Sequence, residues 1–278
     1  MKIGLYDSGI GGLSVLQEAY HLLPDEEYIF YADTDHVPYG LKTSEEILQY
    51  AGESVGFLIE KGVDAVVIAC NTATSVAVKP LRERFELPII SMEPAVKPAV
   101  EYLDAASEES EDKRVLVIAT PVTLREEKLR RLIERVDVRH RVDLLPMPRL
   151  VEFAEKEQFG SEETKAYLKE RFAGLNTEKY GALVLGCTHF NYFKDMYKSF
   201  FPENTRIFDG NEGTIRQLAR RLSLSPVNND GDMMEHIEAD DIVKRTEYYT
   251  SGRRVDNPEV LEHFRRLHVR LEDMRCLR

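Results

Sequence analysis

Short apolar runs alternate with longer stretches of helical periodicity along most of the chain. Five runs are typical of buried strands, and in chain order they are Lys2–Tyr6, Tyr28–Ala32, Asp64–Ala69, Arg114–Ala119 and Tyr180–Gly186. The helical stretches are Leu13–Leu23, Thr43–Lys61, Ala73–Phe85, Leu124–Arg135, Phe190–Phe201, Gly213–Leu222 and Pro258–Met274. This alternation predicts parallel βαβ units with right-handed crossovers.

The second part of the chain repeats the pattern of the first. Arg114–Ala119 and its threonine-rich turn repeat the first strand and turn, and Tyr180–Gly186 repeats the third strand. We therefore predict two similar α/β domains, the first at residues 1–93 plus 207–278 and the second at residues 94–206. The polar stretches Ala105–Lys113 and Asn228–Asp241 are predicted to be loops.

Two cysteines end matching strand-like runs. Cys70 follows an apolar run and precedes Asn71-Thr72, and Cys187 follows a second apolar run and precedes Thr188-His189. Ligands of parallel α/β sheets collect beyond the carboxyl ends of strands, and a helix N-terminus there favours a thiolate. A lone cysteine at a strand end is usually a small packing residue. The duplication favours a functional pair.

Two titratable residues lie at the carboxyl ends of predicted strands. Asp7 ends the first strand and begins the glycine-rich turn Asp7–Gly12, while His189 is two residues beyond Cys187. An isolated residue of either type usually makes only local hydrogen bonds. Beside a thiol, the imidazole is able to shuttle a proton. Ser14 replaces the third glycine of G-x-G-x-x-G and the P-loop lysine is missing, so neither a dinucleotide nor an ATP site is supported.

The composition narrows the class of protein. Hydrophobic content of 43% and charged content of 31% indicate a globular protein, and no apolar run approaches the roughly 18 residues of a membrane span. With an N-terminus unlike a signal peptide, we expect a cytoplasmic location. The formal charge of −12 argues against a nucleic-acid partner. Three cysteines without C-x-x-C or Cys/His zinc spacing predict reduced thiols and no metal site.

Four motifs together resemble bacterial glutamate racemases of the aspartate/glutamate racemase superfamily. They are Asp7-Ser8-Gly9-Ile10-Gly11-Gly12, Val37-Pro38-Tyr39-Gly40, Cys70-Asn71-Thr72-Ala73-Thr74 and Gly186-Cys187-Thr188-His189. Each motif is short, but their order and spacing are specific. The resemblance extends from the first strand to about Leu222, and Tyr248–Gly252 is similar to the family's C-terminal segment.

The resemblance implies an α/β fold of two pseudosymmetric, doubly wound parallel-sheet domains with the active site between them. It also implies a homodimeric, cofactor-independent racemase that interconverts L- and D-glutamate and supplies D-glutamate for peptidoglycan. By analogy, Cys70 would take the α-proton from D-glutamate and Cys187 from L-glutamate, assisted by Asp7 and His189. The implied substrate-binding residues are Asp7, Ser8, Tyr39, Gly40, Asn71, Thr72, Thr120, Thr123, Thr188 and His189.

Two segments depart from the family pattern. Asp35-His36 replaces the small residue and arginine that often precede the Pro-Tyr-Gly turn, and we expect a changed site entrance there. The segment Arg125–Leu129 lacks the serine and tyrosine common after the threonine-rich turn, and we expect changed substrate contacts or domain packing.

Three other functions remain open at the level of sequence. A thiol-dependent hydrolase would use Cys187 as nucleophile and His189 as base, but it leaves the second cysteine unexplained. A racemase for aspartate or another amino acid would share the proton chemistry and differ in side-chain recognition. A two-lobed amino-acid-binding protein would need neither thiol except for affinity.

Overall fold

The computed structural model describes residues 1–105, 112–227 and 237–277, which form two sheets covered by helices on both faces. The strands of the first sheet are β1 Lys2–Asp7, β2 Glu27–Ala32, β3 Ala65–Ile68, β4 Ile89–Ser91, β9 Thr246–Thr250 and β10 Arg253–Arg254. The strands of the second are β5 Arg114–Ala119, β6 Val142–Pro146, β7 Tyr180–Gly186 and β8 Arg206–Phe208. Every pairing is parallel except that of β10 with β9.

The two sheets share one strand order. The first runs β10-β9-β2-β1-β3-β4 and the second β6-β5-β7-β8, so β2-β1-β3-β4 has its counterpart in the whole second sheet. The central strand β1 corresponds to β5, and β3 corresponds to β7. Cys70 and Cys187 therefore follow equivalent strands of two pseudosymmetric halves, which confirms the predicted fold class.

Helices connect the strands. They are α1 Leu13–Leu22, α2 Ser44–Glu60, α3 Asn71–Arg84, α4 Val96–Ala105, α5 Pro121–Arg125, α6 Glu127–Val136, α7 Leu150–Glu155, α8 Glu162–Phe172, α9 Lys194–Lys198, α10 Asn211–Leu222, α11 Ala239–Arg245 and α12 Pro258–Arg275. In the described ranges, none of the helices is both long enough and apolar enough to span a membrane.

Alternate residues of the central strands pack into different cores. Leu5 joins the core that contains α1, α10 and α12, while its neighbour Tyr6 joins the core formed with α2 and α3. In the second sheet, Leu116 packs towards α7 and α8, and Val117 packs towards α4 and α6. Strands buried on both faces need apolar residues at almost every position, which explains their continuous apolar runs.

Two sequence predictions need correction in the second half. The stretch Phe190–Phe201 is not one helix, because the chain forms a 3₁₀ segment over Thr188–Phe193 before the short helix α9. The strand β8, which contains residue 207, pairs with β7 and so belongs to the second sheet rather than to the first half. It extends that sheet as β4 extends the first. The chain returns to the first half with α10, which packs beside α1 in the core.

The two predicted loops are only partly described. Residues 106–111 and 228–236 lie outside the described residues, and α11 begins at Ala239, inside the second predicted loop. Several short elements had no sequence prediction, among them β4, β6, β9, α4, α7 and α8. The strands and α7 are too short for a pattern to identify them, whereas α4 and α8, with 10 and 11 residues, are as long as the predicted α1.

Candidate active site

The turns after β1, β3, β5 and β7 meet between the two halves. Thr72 Oγ1, after β3, lies 3.0 Å from Thr120 Oγ1, after β5. Thr188, after β7, donates a hydrogen bond of 3.0 Å from Oγ1 to Asp7 Oδ2 at the end of β1. Gly40 packs against Thr120 so closely that an added Cβ would lie 3.1 Å from the threonine Cβ. The carboxyl ends of both sheets therefore form one shared site.

Cys70 is the N-cap residue of α3. Its Sγ accepts a hydrogen bond of 3.4 Å from the Ala73 N–H and donates one of 3.5 Å to Ser8 Oγ. Burial raises the pKa of the Cys70 thiol to about 12, and the charge of Asp7 adds to the rise. In this closed arrangement Cys70 is therefore a protonated thiol, able to donate a proton.

Cys187 has a cationic neighbour instead. Its Sγ lies 3.8 Å from His189 Nδ1, and His189 Nε2 lies 2.5 Å from Glu155 Oε1. Burial lowers the pKa of His189, but the hydrogen bonds to Cys187 and Glu155 outweigh burial and raise that pKa well above its usual value. The two thiols thus differ in environment, because Cys70 caps a helix beside a hydroxyl and Cys187 lies beside an imidazole.

Asp7 connects the two thiols. Its Oδ1 accepts hydrogen bonds from the Gly9 N–H at 3.0 Å and from Ser8 Oγ at 3.4 Å, and Ser8 also contacts Cys70. Its Oδ2 accepts from Thr188, the residue after Cys187. Burial raises the pKa of Asp7 to about 6, although the charge of His189 opposes the rise. A continuous polar path therefore runs from Cys70 to the Cys187 turn.

Two predicted binding residues differ in how their side chains are used. The Tyr39 hydroxyl accepts a hydrogen bond from Tyr6 Oη and donates one to Asp33 Oδ2, both at 2.7 Å. That phenol is therefore held by hydrogen bonds within the first half. Asn71 Oδ1, in contrast, is buried without a hydrogen-bond partner. An unpaired buried acceptor is costly unless a ligand donates to it.

Glu155 is a site residue that sequence reasoning missed. It ends the short helix α7, and its Oε1 accepts hydrogen bonds from His189 and, at 2.9 Å, from the Ile10 N–H in the glycine-rich turn. It therefore joins the second half to the first. No local motif marks this residue; the only signal is the need of a buried histidine for a carboxylate partner.

Side-chain contacts of Asp35 and His36, which depart from the family pattern, hold the loop before the Pro-Tyr-Gly turn in place. Asp35 receives two hydrogen bonds from Arg253, of 2.8 and 2.7 Å, at the C-terminal hairpin. His36 Nδ1 lies 2.9 Å from Asp33, and its ring stacks on Tyr50 at a centroid distance of 3.7 Å. The loop that carries Tyr39 is thus held by side chains specific to this segment.

The site's chemistry is that of proton transfer. It offers two thiols, an imidazole and two carboxylates, surrounded by hydroxyl groups and backbone N–H donors. In the part of the chain that the structure describes, no three His, Cys, Asp or Glu residues are grouped so that they could hold a metal ion.

Comparison with known proteins decides the family. A family model described as Asp/Glu/Hydantoin racemase matches residues 14–218. The chain belongs to this racemase family. The resemblance inferred from the motifs is therefore confirmed, and the protein is an enzyme of the isomerase class. The hydrolase and binding-protein hypotheses gain no support from the family.

Individual racemases match over most of their length. The chain is 54% identical over 241 residues to a glutamate racemase of Campylobacter curvus, covering 86% of this chain and 90% of that protein. It is 46% identical over 275 residues to one of Lachnospira eligens, covering 99% of each. The solved Escherichia coli glutamate racemase, in complex with L-glutamate and the activator UDP-MurNAc-ala, matches with a TM-score of 0.74 at 28% identity, covering 91% of this chain and 98% of that one.

The structure brings the predicted racemase residues together. The turns after β1, β3, β5 and β7 and the Pro-Tyr-Gly turn carry them, and they are Asp7, Ser8, Tyr39, Gly40, Cys70, Asn71, Thr72, Thr120, Thr123, Cys187, Thr188 and His189. Their individual roles follow as proposals.

Proposed function

We propose that this protein is a glutamate racemase that interconverts L- and D-glutamate by proton transfer at the α-carbon between two cysteines, without a cofactor. The observation that carries the proposal is the pair of buried thiols at equivalent strand ends, linked through Ser8, Asp7 and Thr188. The choice of glutamate is supported by the names of the relatives and by the L-glutamate complex of the Escherichia coli enzyme.

Inversion of a stereocentre requires removal of a proton from one face and delivery to the other. We assign Cys70 to the proton of D-glutamate and Cys187 to that of L-glutamate. In the L-to-D direction, the Cys187 thiolate takes the α-proton, the C–H electron pair remains on the substrate as a carbanion, and the Cys70 thiol protonates the opposite face. Each turnover therefore exchanges the protonation states of the two sulfurs.

The remaining residues support this exchange. His189 stabilises the Cys187 thiolate as an imidazolium, and Asp7 orients Ser8 beside Cys70. The Thr72 hydroxyl and the backbone N–H groups of the turns at Ser8 and Thr188 would stabilise charge on the substrate carboxylate, which is the main electrostatic aid available. The unpartnered Asn71 Oδ1 suits the substrate ammonium.

The cellular setting is part of the proposal. We infer a cytoplasmic homodimer whose D-glutamate enters peptidoglycan synthesis, on the basis of the family resemblance. Within one chain, we propose that the two halves are separate domains and that the boundary between the first and the second lies near residue 93. With β8 counted in the second sheet, the return follows residue 208.

A deuterium experiment tests the reaction. The protein is incubated with L- or D-glutamate in deuterated water, and optical rotation and α-deuterium are followed. We expect racemisation with deuterium at the α-carbon, and a loss of about 10²–10⁴-fold in racemisation for Cys70→Ala and for Cys187→Ala. Cys276→Ala, at the exposed free thiol, is the matched control and should keep full activity.

Other outcomes identify the alternatives. Faster turnover of aspartate than of glutamate would show that aspartate is the preferred substrate. An acyl-enzyme without α-exchange would indicate a hydrolase, and tight binding without exchange would indicate a binding protein.

A further inference from the structure

A surface cleft between α3 and α6 leads towards the buried site. Its volume is about 780 Å³, which is in the range of small-molecule sites. Behind it lies a void of about 20 Å³, lined on its inner side by Asn71 and Thr123 of the site. Because that void has room for about one water, glutamate cannot pass until it widens.

An ion pair stands where the cleft and the void meet. Glu93 and Lys128 line both spaces, and Lys128 Nζ on α6 lies 2.9 Å from Glu93 Oε1 after β4. The pair therefore joins the chain crossing between the two halves to a helix of the second half. Opening it would enlarge the void.

The ammonium of Lys128 has a charge partner but unsatisfied donors. The Nζ atom is buried although the side chains of Lys128 and Glu93 are 31% and 48% exposed, and apart from the Glu93 carboxylate no acceptor among the described residues pairs with it. An ammonium carries three donors, and burial without acceptors is costly. A carboxylate that enters the passage would satisfy them. Lys128 also lies in the segment Arg125–Leu129, which departs from the family pattern.

The charge of the molecule makes a cationic passage useful. With a formal charge of −12, the protein repels a dicarboxylate substrate except where positive charge is concentrated. The cleft contains five basic side chains, which are Lys79, Arg82, Lys128, Arg131 and Arg135. Four acidic side chains oppose them, which are Glu83, Glu93, Glu126 and Glu127, so the cleft has a formal charge of +1 in a molecule of charge −12.

We propose that the cleft between α3 and α6 is the route by which a carboxylate substrate reaches the site, and that the Lys128–Glu93 ion pair is its gate. Lys128 exchanges the carboxylate of Glu93 for that of the substrate as the pair opens. The identity of the substrate rests on the proposed function, whereas the existence of an anion-selective route to the thiols does not.

Alkylation of the site thiols tests the route without relying on turnover. Iodoacetate and iodoacetamide both form a sulfur–carbon bond and release iodide, and they differ by one negative charge. Their rates of labelling at Cys70 and Cys187 are measured by peptide mass spectrometry. We expect Lys128→Met to slow labelling by iodoacetate roughly tenfold and to change labelling by iodoacetamide less than about twofold.

Substitution of Glu93, the other member of the ion pair, should have the opposite effect on the rate of labelling by iodoacetate. Glu93→Gln removes the competitor of the incoming carboxylate, so labelling by iodoacetate should become faster than in the wild type. Lys165→Met removes the same charge from an exposed position on α8, outside the cleft, where the lysine pairs with Glu162, and should leave both rates unchanged. If the ion pair were purely structural, Lys128→Met and Glu93→Gln would change the labelling rates of both reagents in the same direction. That result would overturn the proposal.

Glutamate kinetics separate this proposal from the assigned reaction. If the wild type racemises glutamate, Lys128→Met should lower kcat/KM more than kcat and flatten its dependence on salt. If it racemises no amino acid, the proposed function fails while the labelling experiment still decides the route. Equal effects of Lys128→Met and Lys165→Met on iodoacetate labelling would refute the gate even in an active racemase.

Discussion

Asp7 is a charged residue whose place in the site reduces stability. Burial raises its pKa from 3.8 to about 6, so the unfolded chain binds fewer protons than the folded one between these values. Stability therefore falls as pH rises through this window, by about 3 kcal/mol once Asp7 is fully ionised. The glycine-rich turn and Thr188 hold the carboxylate there for its role beside the thiols.

Substitution of Asp7 should reveal this cost. In Asp7→Asn the side chain keeps its shape but no longer titrates. The free energy of unfolding of the variant, relative to that of the wild type, should therefore increase as the pH rises from 4 to 6. Urea denaturation at several pH values measures the difference. A constant difference across that range would show that Asp7 has an ordinary pKa in the folded protein.

Glu155 should set the protonation of His189. Its hydrogen bond is one of the two contacts that raise the imidazole pKa against burial. In Glu155→Gln the pKa of His189 should fall, so the imidazolium is lost at lower pH. The alkaline limb of kcat/KM should then move to lower pH. Glu157→Gln, which removes a partner of His263 on the surface, should leave the profile unchanged.

Some site residues could be predicted from the sequence and others could not. Asp7, Cys70 and Cys187 could be found because each stands where a buried strand meets a turn, and the topology of parallel sheets brings such ends together. Glu155 lies on a helix far from any motif, and Lys128 lies on a helix within the segment Arg125–Leu129, to which the motifs assign no role. Their contacts depend on how the two halves pack, which no local pattern of residues specifies.

Elements were predictable in proportion to their burial and length. The central strands β1, β3, β5 and β7 are buried along almost their whole length and stand out as apolar runs. The edge strand β6 is half-exposed and alternates too weakly to be recognised. After Cys187, hydrophobic spacing predicted a helix, but the segment Thr188–Phe193, which packs against the glycine-rich turn and α12, forms a 3₁₀ helix.

Helix α12 is attached through a buried histidine. The His268 ring lies 3.1 Å from Gln17 of α1 and 3.3 Å from the hydroxyl of Tyr248 on β9. Burial lowers the pKa of His268 from 6.5 to about 3. Below pH 6.5 the unfolded chain binds a proton that the folded chain does not, so this contribution to stability is lost as pH falls from 6.5 towards 3.

Replacement of His268 should remove that acid sensitivity. At pH 5 the wild type should have lost about 2 kcal/mol through this residue alone. His268→Gln keeps a hydrogen-bonding side chain without the titration, so its deficit relative to wild type should shrink from pH 7 to pH 5. Denaturation curves at the two pH values measure it. An unchanged deficit would mean that His268 is protonated in the folded protein.

At the scale of the whole molecule, function depends on how closely the two halves approach. The glycine-rich turn of the first half lies directly against the 3₁₀ segment of the second. A Cβ added to Gly11 would lie 2.4 Å from Thr188 Oγ1 and 2.6 Å from the His189 backbone nitrogen, atoms of the opposing half. These distances are too short for any side chain, so the absence of a Cβ at Gly11 permits the closed site.

Gly11→Ala should therefore separate folding from closure. One core is shared by the two halves, but each sheet also has a core of its own on its other face, so the variant should fold. The His189 and Thr188 turn must nevertheless move away from Asp7. A displacement of about 1 Å can cost about 10²-fold in rate, and we expect at least that loss in kcat/KM. Gly213→Ala, on α10 with open space around it, is the matched control and should retain activity. Thermal unfolding of both variants is measured together with racemisation. Full activity in Gly11→Ala would show that the halves need not meet this closely. An unfolded Gly11→Ala would show that their contact is required for folding itself.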